Sequence, residues 1–219
     1  MNIDRKKSQR RNVIPQSIRL EPYHQGSLDA LCGLYSAINA IRVAAYPAKR
    51  LTRHHIAYLM GDGIDYLARA KCLTRVLKDG MSFSLRVKLT NHLIKRVRQR
   101  WGLEIRKLKP NRKADLIKFI ESEVDQGHPV CIHVDGAHDH YTVISGYTPK
   151  QFKLYDSNGR QSFRRNSVSI VGDDRESRHQ IMPTGVFSLS EEDVIQIIEK
   201  TKHHIFLYKM VSVVKLCLL

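Results

Sequence analysis

The chain has 219 residues, enough for one ample core or two lobes sharing a cleft. A hydrophobic content of 42% excludes a disordered chain, and no run approaches the roughly 18 consecutive apolar residues of a membrane span. With 37 Lys+Arg against 21 Asp+Glu the net charge is +16, which favours acidic company: nucleic acid, an acidic protein or an anionic surface. No nucleic-acid recognition motif accompanies that charge, so a basic exterior without a nucleic-acid role is the plainer reading.

Residues 1–19 are polar and carry six basic residues, which reads as an N-terminal arm or an edge element. No apolar core follows the charges, so this is not a secretory signal. Leu34, Ile38 and Ile41 share one helical face, predicting a helix from Cys32 to Ala45 that Pro47 ends. Thr52 to Met60 reads as a short helix, and Asp62-Gly63 as a turn that Asp62 caps. Ile64, Leu67, Ala68 and Cys72 then predict another helix, stopped near Asp79-Gly80. Ser84 to Trp101 has the best helical pattern, with Leu85, Leu89, Leu93 and Val97 on one side and Lys88, Lys95, Arg96, Arg98 and Arg100 on the other. Such a basic face is more often solvated than bound to a polyanion.

After Gly102 the pattern changes. Leu103 to Leu108 alternates like a strand, Lys113 to Gln126 reads as a helix, and Val130 to Val134 is β-branched. A hairpin over 140–156, a strand from Ser167 to Val171 and a charged loop at Asp173–His179 follow. Ser190 and Asp193 resemble a capping pair for a helix over 191–200, and Ile205 to Leu216 reads as a closing strand. Helices first and an antiparallel sheet second predict an α+β fold. Behind the arm, one domain over 20–219 divides into a helical lobe (about 20–101) and a β-rich lobe (about 102–219). The four cysteines, Cys32, Cys72, Cys131 and Cys217, form no C-x-x-C pair. Neither a zinc knuckle nor a disulfide framework is indicated, and a reducing cytoplasm is the expected compartment.

Chemistry concentrates at two places. Cys32 opens the first helix, where the macrodipole and unpaired N–H groups favour thiolate, and Gly33 admits close approach of a substrate. A cysteine taken alone is more often an inert core residue. Over 100 residues later His140 starts the apolar run Tyr141 to Tyr147, and Asp156 ends the next short run before Ser157-Asn158-Gly159. A hairpin sets the start of one strand beside the end of the next, so His140 and Asp156 are expected to be neighbours. Cys32, His140 and Asp156 then read as nucleophile, base and orienter. Gln25 lies upstream, where a looped chain brings its amide toward the thiol as an oxyanion donor. His138 is a substitute for His140, and Asp29 reads first as a helix-start carboxylate. His133, Asp135, His138, Asp139 and His140 also contain metal-binding side chains, but their spacing matches no trusted ligand motif. No metal or other cofactor is expected.

These residues resemble the papain-like cysteine peptidase superfamily. The resemblance rests on Gln25…Cys32-Gly33, on His140-Tyr-Thr-Val-Ile-Ser-Gly-Tyr147 and on Leu154-Tyr-Asp-Ser-Asn-Gly159, and it is nearest to the bacteriocin-processing double-glycine branch. It implies that Cys32 is the nucleophile, His140 the base, Asp156 the orienter and Gln25 an oxyanion-hole contributor. Gln25 stands one residue farther from Cys32 than is usual in that branch. Asp29-Ala-Leu-Cys32 also resembles the opening of ovarian-tumour-type deubiquitinases, and Josephin-type enzymes share the early Gln and Cys, with Asn158 then replacing Asp156. Transglutaminases and arylamine acetyltransferases use the same residue order. The implied activity is hydrolysis of a peptide or isopeptide bond in a protein partner, an acidic one by the charge argument; the alternatives are acyl transfer and an inactive basic module that binds nucleic acid.

Overall fold

The structure, a computed structural model, describes residues 11–12, 20–26, 29–46, 48–111, 115–136, 139–173 and 177–192. Small side chains, Ser36, Ala37, Ala40, Ala44 and Ala45, alternate with Leu34, Ile38 and Ile41 along helix α1 (Cys32–Ala45). All of these are buried, so the helix is enclosed on every side rather than along one stripe. It packs against the sheet and against two further helices.

Those neighbours are α2 (Arg53–Arg69) and α4 (Phe83–Trp101), linked by α3 (Leu73–Asp79). The expected break at Asp62-Gly63 does not occur: α2 runs through Gly61, Asp62 and Gly63 without interruption. Tertiary contacts outweigh the turn propensity of these residues. Asp62 is held by Arg96 Nε at 3.0 Å and His92 Nε2 at 2.6 Å, both on α4. Gly63 is the crossing point with α1, because a Cβ there would lie 2.6 Å from Leu34 Cδ1. The break falls instead between Arg69 and Leu73, where Lys71 adopts φ 54°, so the single helix expected over 64–79 is divided. Helix α4 matches its predicted span. Ser82 caps its start and Gly102, at φ 67°, ends it.

A nine-stranded sheet forms the other half of the described structure. Its strands are β1 (Arg11–Asn12), β2 (Glu104–Leu108), β3 (Val130–Gly136), β4 (His140–Tyr147), β5 (Gln151–Leu154), β6 (Ser162–Arg164), β7 (Val168–Ile170), β8 (His179–Ile181) and β9 (Phe187–Glu192). The main path runs β2-β9-β3-β4-β5-β6, antiparallel throughout. Strand β1 pairs with the end of β4, β8 pairs with the end of β3, and β7 lies parallel to β8. Helix α5 (Leu116–Asp125), capped by Asp115, packs on β3 and β4.

Alternation along β3 and β4 divides the apolar residues into two cores. Cys131, Tyr141 and Val143 join the core around α1, α2 and α4. Val130, Ile132, Val134 and Ile144 join Ile120, Val124, Phe152 and Phe163 on the α5 side. The sheet is therefore the middle layer of an α+β architecture.

Two C-terminal expectations change. Glu191 and Glu192 extend β9, whose residues Ser188 to Glu192 pair with all of β2, so no helix begins at 191. Asp193, the rest of that expected helix and the strand expected over 205–216 lie outside the described residues. His179 starts β8 instead of closing a loop. Among the described residues no helix is long and apolar enough to cross a membrane.

Two glycines in α2 separate helix propensity from packing. A Cβ added at Gly61 would have nothing within 4 Å, whereas one at Gly63 meets Leu34. Gly61→Ala is expected to stabilise by up to ~1 kcal/mol. Gly63→Ala gains the same propensity but overpacks the crossing, and a net loss of about 1–2 kcal/mol is expected from urea unfolding.

Candidate active site

Cys32 is the first residue of α1, and no side chain caps this helix. The Leu34 N–H turns back to Leu31 O at 2.9 Å, no side chain takes the N–H groups of Cys32 and Gly33, and the positive end of the helix dipole lies there. The thiol is half-buried. Gly33 follows in a tight seat: a Cβ there would lie 3.1 Å from Met81 Sδ and 3.4 Å from the Tyr141 ring. Met81 belongs to the link between α3 and α4, so three separate segments meet at this helix start.

The sheet delivers the other two groups. His140 opens β4 opposite Val134 of β3. Leu154 of β5 lies opposite Ile144, and the Tyr155 N–H donates to Val143 O at 2.8 Å. The chain after β5 thus continues alongside β4 toward its beginning, which brings Asp156 to His140. Asp156 Oδ1 lies 2.7 Å from His140 Nε2, and both residues are buried. Asp156 Oδ2 accepts from the N–H groups of Asn158 (2.9 Å) and Arg160 (3.1 Å), so both carboxylate oxygens are engaged. With Nε2 bound to Asp156, Nδ1 is the nitrogen left for Cys32, which lines the same cleft as His140.

The electrostatics follow from this wiring. Burial pulls the His140 pKa down, but the hydrogen bond to Asp156, the neighbouring Cys32 sulfur and the charges of both outweigh that and raise it to about 9. Burial pushes the Asp156 carboxyl up, and its bonds to His140 and the Arg160 N–H outweigh that, holding it below the usual carboxylate range. The sheet therefore holds, beside the thiol, an imidazole whose protonated form the Asp156 carboxylate stabilises.

Gln25 reaches the same cleft, of about 440 Å³, which Cys32, His140, Asn158 and Arg160 also line. Its N–H donates to Ser157 O at 2.9 Å, and its Oε1 accepts from the Ser157 hydroxyl at 3.3 Å. The structure thus brings Gln25, Cys32, His140 and Asp156 together. Asn158 lines the cleft, and its backbone N–H serves Asp156. Asp29 accepts from the N–H groups of Gly26 (2.8 Å) and Leu31 (3.1 Å), bracing the loop that leads into α1. His133 pairs with Asp139 at 2.5 Å and stacks on Tyr141, so it and His140 face different carboxylates. His138 lies outside the described residues. Among the described residues no three or more His, Cys, Asp or Glu side chains group as a metal site.

Sequence reasoning missed two features. The segment Lys78-Asp79-Gly80-Met81 forms one wall of the cleft, and only the Asp79-Gly80 turn signalled an excursion there. Arg86 lies fully buried behind Tyr141, its guanidinium 4.4 Å from that ring and 4.9 Å from Phe187, with Nη1 donating to Ile132 O at 3.3 Å. Aromatic faces and this carbonyl partly offset the cost of burying its charge. Its spacing of seven from Leu93 puts it on the apolar stripe of α4, a signal available in the sequence.

A helix-opening thiol set against an imidazole on an antiparallel sheet is the arrangement of papain-like cysteine peptidases, and the α+β fold is of that class. The chain belongs to the Peptidase_C39 like family, whose model matches residues 17–171, more than half of its length. That membership supports a cysteine peptidase in general. A search of curated proteins finds no match.

The His140 pair makes stability depend on pH in a defined direction. Its folded-state pKa lies above the ordinary 6.5, so its contribution is fully present below about pH 6.5 and is lost as pH rises through about 9. Asp156 acts in the opposite sense, contributing above its ordinary 3.8 and ceasing to do so as acid titrates the folded carboxylate. Between about pH 7 and about pH 10 the wild type is expected to lose on the order of 2 kcal/mol more than Asp156→Asn, read from urea midpoints.

Proposed function

We propose that the chain is a cysteine peptidase in which Cys32 is the nucleophile, His140 the base, Asp156 its orienter and Gln25 an oxyanion donor. The single observation that carries the reading is the His140–Asp156 pair at 2.7 Å, set in the cleft that Cys32 also lines. Membership of the peptidase family agrees with it.

The thiol proton passes to His140 Nδ1, giving a thiolate beside an imidazolium whose Nε2–H donates to Asp156 Oδ1. The thiolate attacks a peptide or isopeptide carbonyl, and the negative charge that develops on its oxygen is received by the Cys32 N–H and the Gln25 amide. The imidazolium returns its proton to the departing amine, leaving a thioester. Water, deprotonated by the same imidazole, attacks the thioester carbonyl, releases the acid and restores the thiol.

Substrate recognition divides between cleft and exterior. Asp29, Asp79 and Asp139 line the cleft with Lys78 and Arg160, so its walls carry both signs of charge. Exposed Lys88, Lys95, Arg98 and Arg100 lie on α4, leading away from the cleft. An acidic protein partner fits this arrangement by docking on the exterior while a segment of it enters the cleft.

Cys32→Ala is expected to abolish turnover of any confirmed peptide substrate while leaving the thermal midpoint within a few degrees of wild type. An electrophilic thiol probe near neutral pH is expected to label Cys32 ahead of Cys72 and Cys131, and His140→Ala to remove that preference. Retained turnover in Cys32→Ala would overturn the assignment of Cys32 as nucleophile, and salt-sensitive nucleic-acid binding together with an unreactive Cys32 would replace the peptidase reading with that of a basic binding module.

A further inference from the structure

The segment before α1 is pinned at alternate residues, Glu21, Tyr23 and Gln25. The carbonyl of Glu21 accepts from the Tyr155 hydroxyl at 2.7 Å and from Arg42 Nη1. Tyr23 is clamped on both backbone groups by the fully buried Asn39: its N–H donates to Oδ1 at 2.9 Å, and its carbonyl accepts from Nδ2 at 3.0 Å. The Gln25 N–H then donates to Ser157 O at 2.9 Å. The backbone therefore delivers Gln25 to the cleft in one place, but it leaves a choice open. A carboxamide presents either its oxygen or its NH2, and only the NH2 stabilises an oxyanion; the oxygen repels it.

Ser157 makes that choice. Its hydroxyl donates to Gln25 Oε1 at 3.3 Å, and the residue is only 2% exposed. With the oxygen engaged there, Nε2 is the end turned to the cleft that Gln25 lines. Ser157 also directly follows Asp156, so the turn that delivers the carboxylate to His140 delivers the hydroxyl to Gln25. We propose that Ser157 is a positioning residue that orients the Gln25 amide with its NH2 toward the developing oxyanion. This rests on the reading of Cys32 as nucleophile and Gln25 as oxyanion donor.

The test compares two reactions of Cys32 in the full chain. Acylation by p-nitrophenyl acetate, read as release of p-nitrophenolate, passes through an oxyanion. Alkylation by iodoacetamide, read by mass mapping of the Cys32 peptide, displaces iodide at carbon and builds none. Ser157→Ala is expected to slow acylation about 10-fold, less than the roughly 100-fold typical of deleting an oxyanion donor outright. Alkylation is expected to stay within about 2-fold of wild type, which also reports an intact site. In a Gln25→Ala background the further effect of Ser157→Ala is expected to vanish, since the two residues act as one unit. Gln25→Glu is expected to acylate more slowly than Gln25→Ala, because a carboxylate bonded to Ser157 through one oxygen turns the other toward the oxyanion. Unchanged acylation in Ser157→Ala, an equal loss in both reactions, a loss that persists in the Gln25→Ala background, or equal rates for Gln25→Glu and Gln25→Ala would each overturn the positioning role. A wild type in which Cys32 undergoes neither reaction would overturn the nucleophile reading itself, and the positioning role with it.

Discussion

Enclosure of α1 is the constraint on which the rest of the structure depends. A helix buried on all sides has only its ends open to chemistry, and its start is where Cys32 stands. Surrounding helices and the sheet supply the apolar contacts that hold the helix in place. Gly33 allows Met81 and Tyr141 to close on the first turn, bringing the α3–α4 link and β4 to the thiol. The cleft is thus the gap left where one enclosed helix begins.

Charge is used differently inside and outside this frame. Among the described residues most Lys and Arg side chains are exposed, where salt screens them and single ion pairs contribute little. The His140–Asp156 pair is buried, and there the same physics has large consequences: each partner favours the charged form of the other against the cost of desolvation. Arg86 shows the alternative treatment, a buried cation set between aromatic rings with a single backbone acceptor. Its stack supports Tyr141, the residue next to His140 and part of the cleft wall.

Helical spans are most legible where period and caps agree. Cys32–Ala45 and Phe83–Trp101 follow their apolar spacing almost to the residue, because burial and local signals point the same way there. Gly61-Asp62-Gly63 misleads because its turn propensity is worth about 1 kcal/mol, and a half-buried Asp62–Arg96–His92 group and a helix crossing outweigh that. Ser190 followed by acidic residues imitates a helix start, yet pairing along all of β2 makes it strand. His140 and Asp156 are legible as neighbours because two short apolar runs joined by a tight hairpin, closed between Thr148 and Gln151, constrain register over a short distance.

By itself the sequence determined the residue types for thiol chemistry, the helix that opens on Cys32, and the α+β order of elements, since these rest on local periodicity and short loops. Tertiary structure alone decided which nitrogen of His140 meets Asp156, the inclusion of Lys78 to Met81 in the cleft wall, and the contact between Ser157 and Gln25. Those relations join residues from 16 to 132 positions apart, and no local propensity carries information across such separations. They become definite only when close packing selects one register and one rotamer for each side chain.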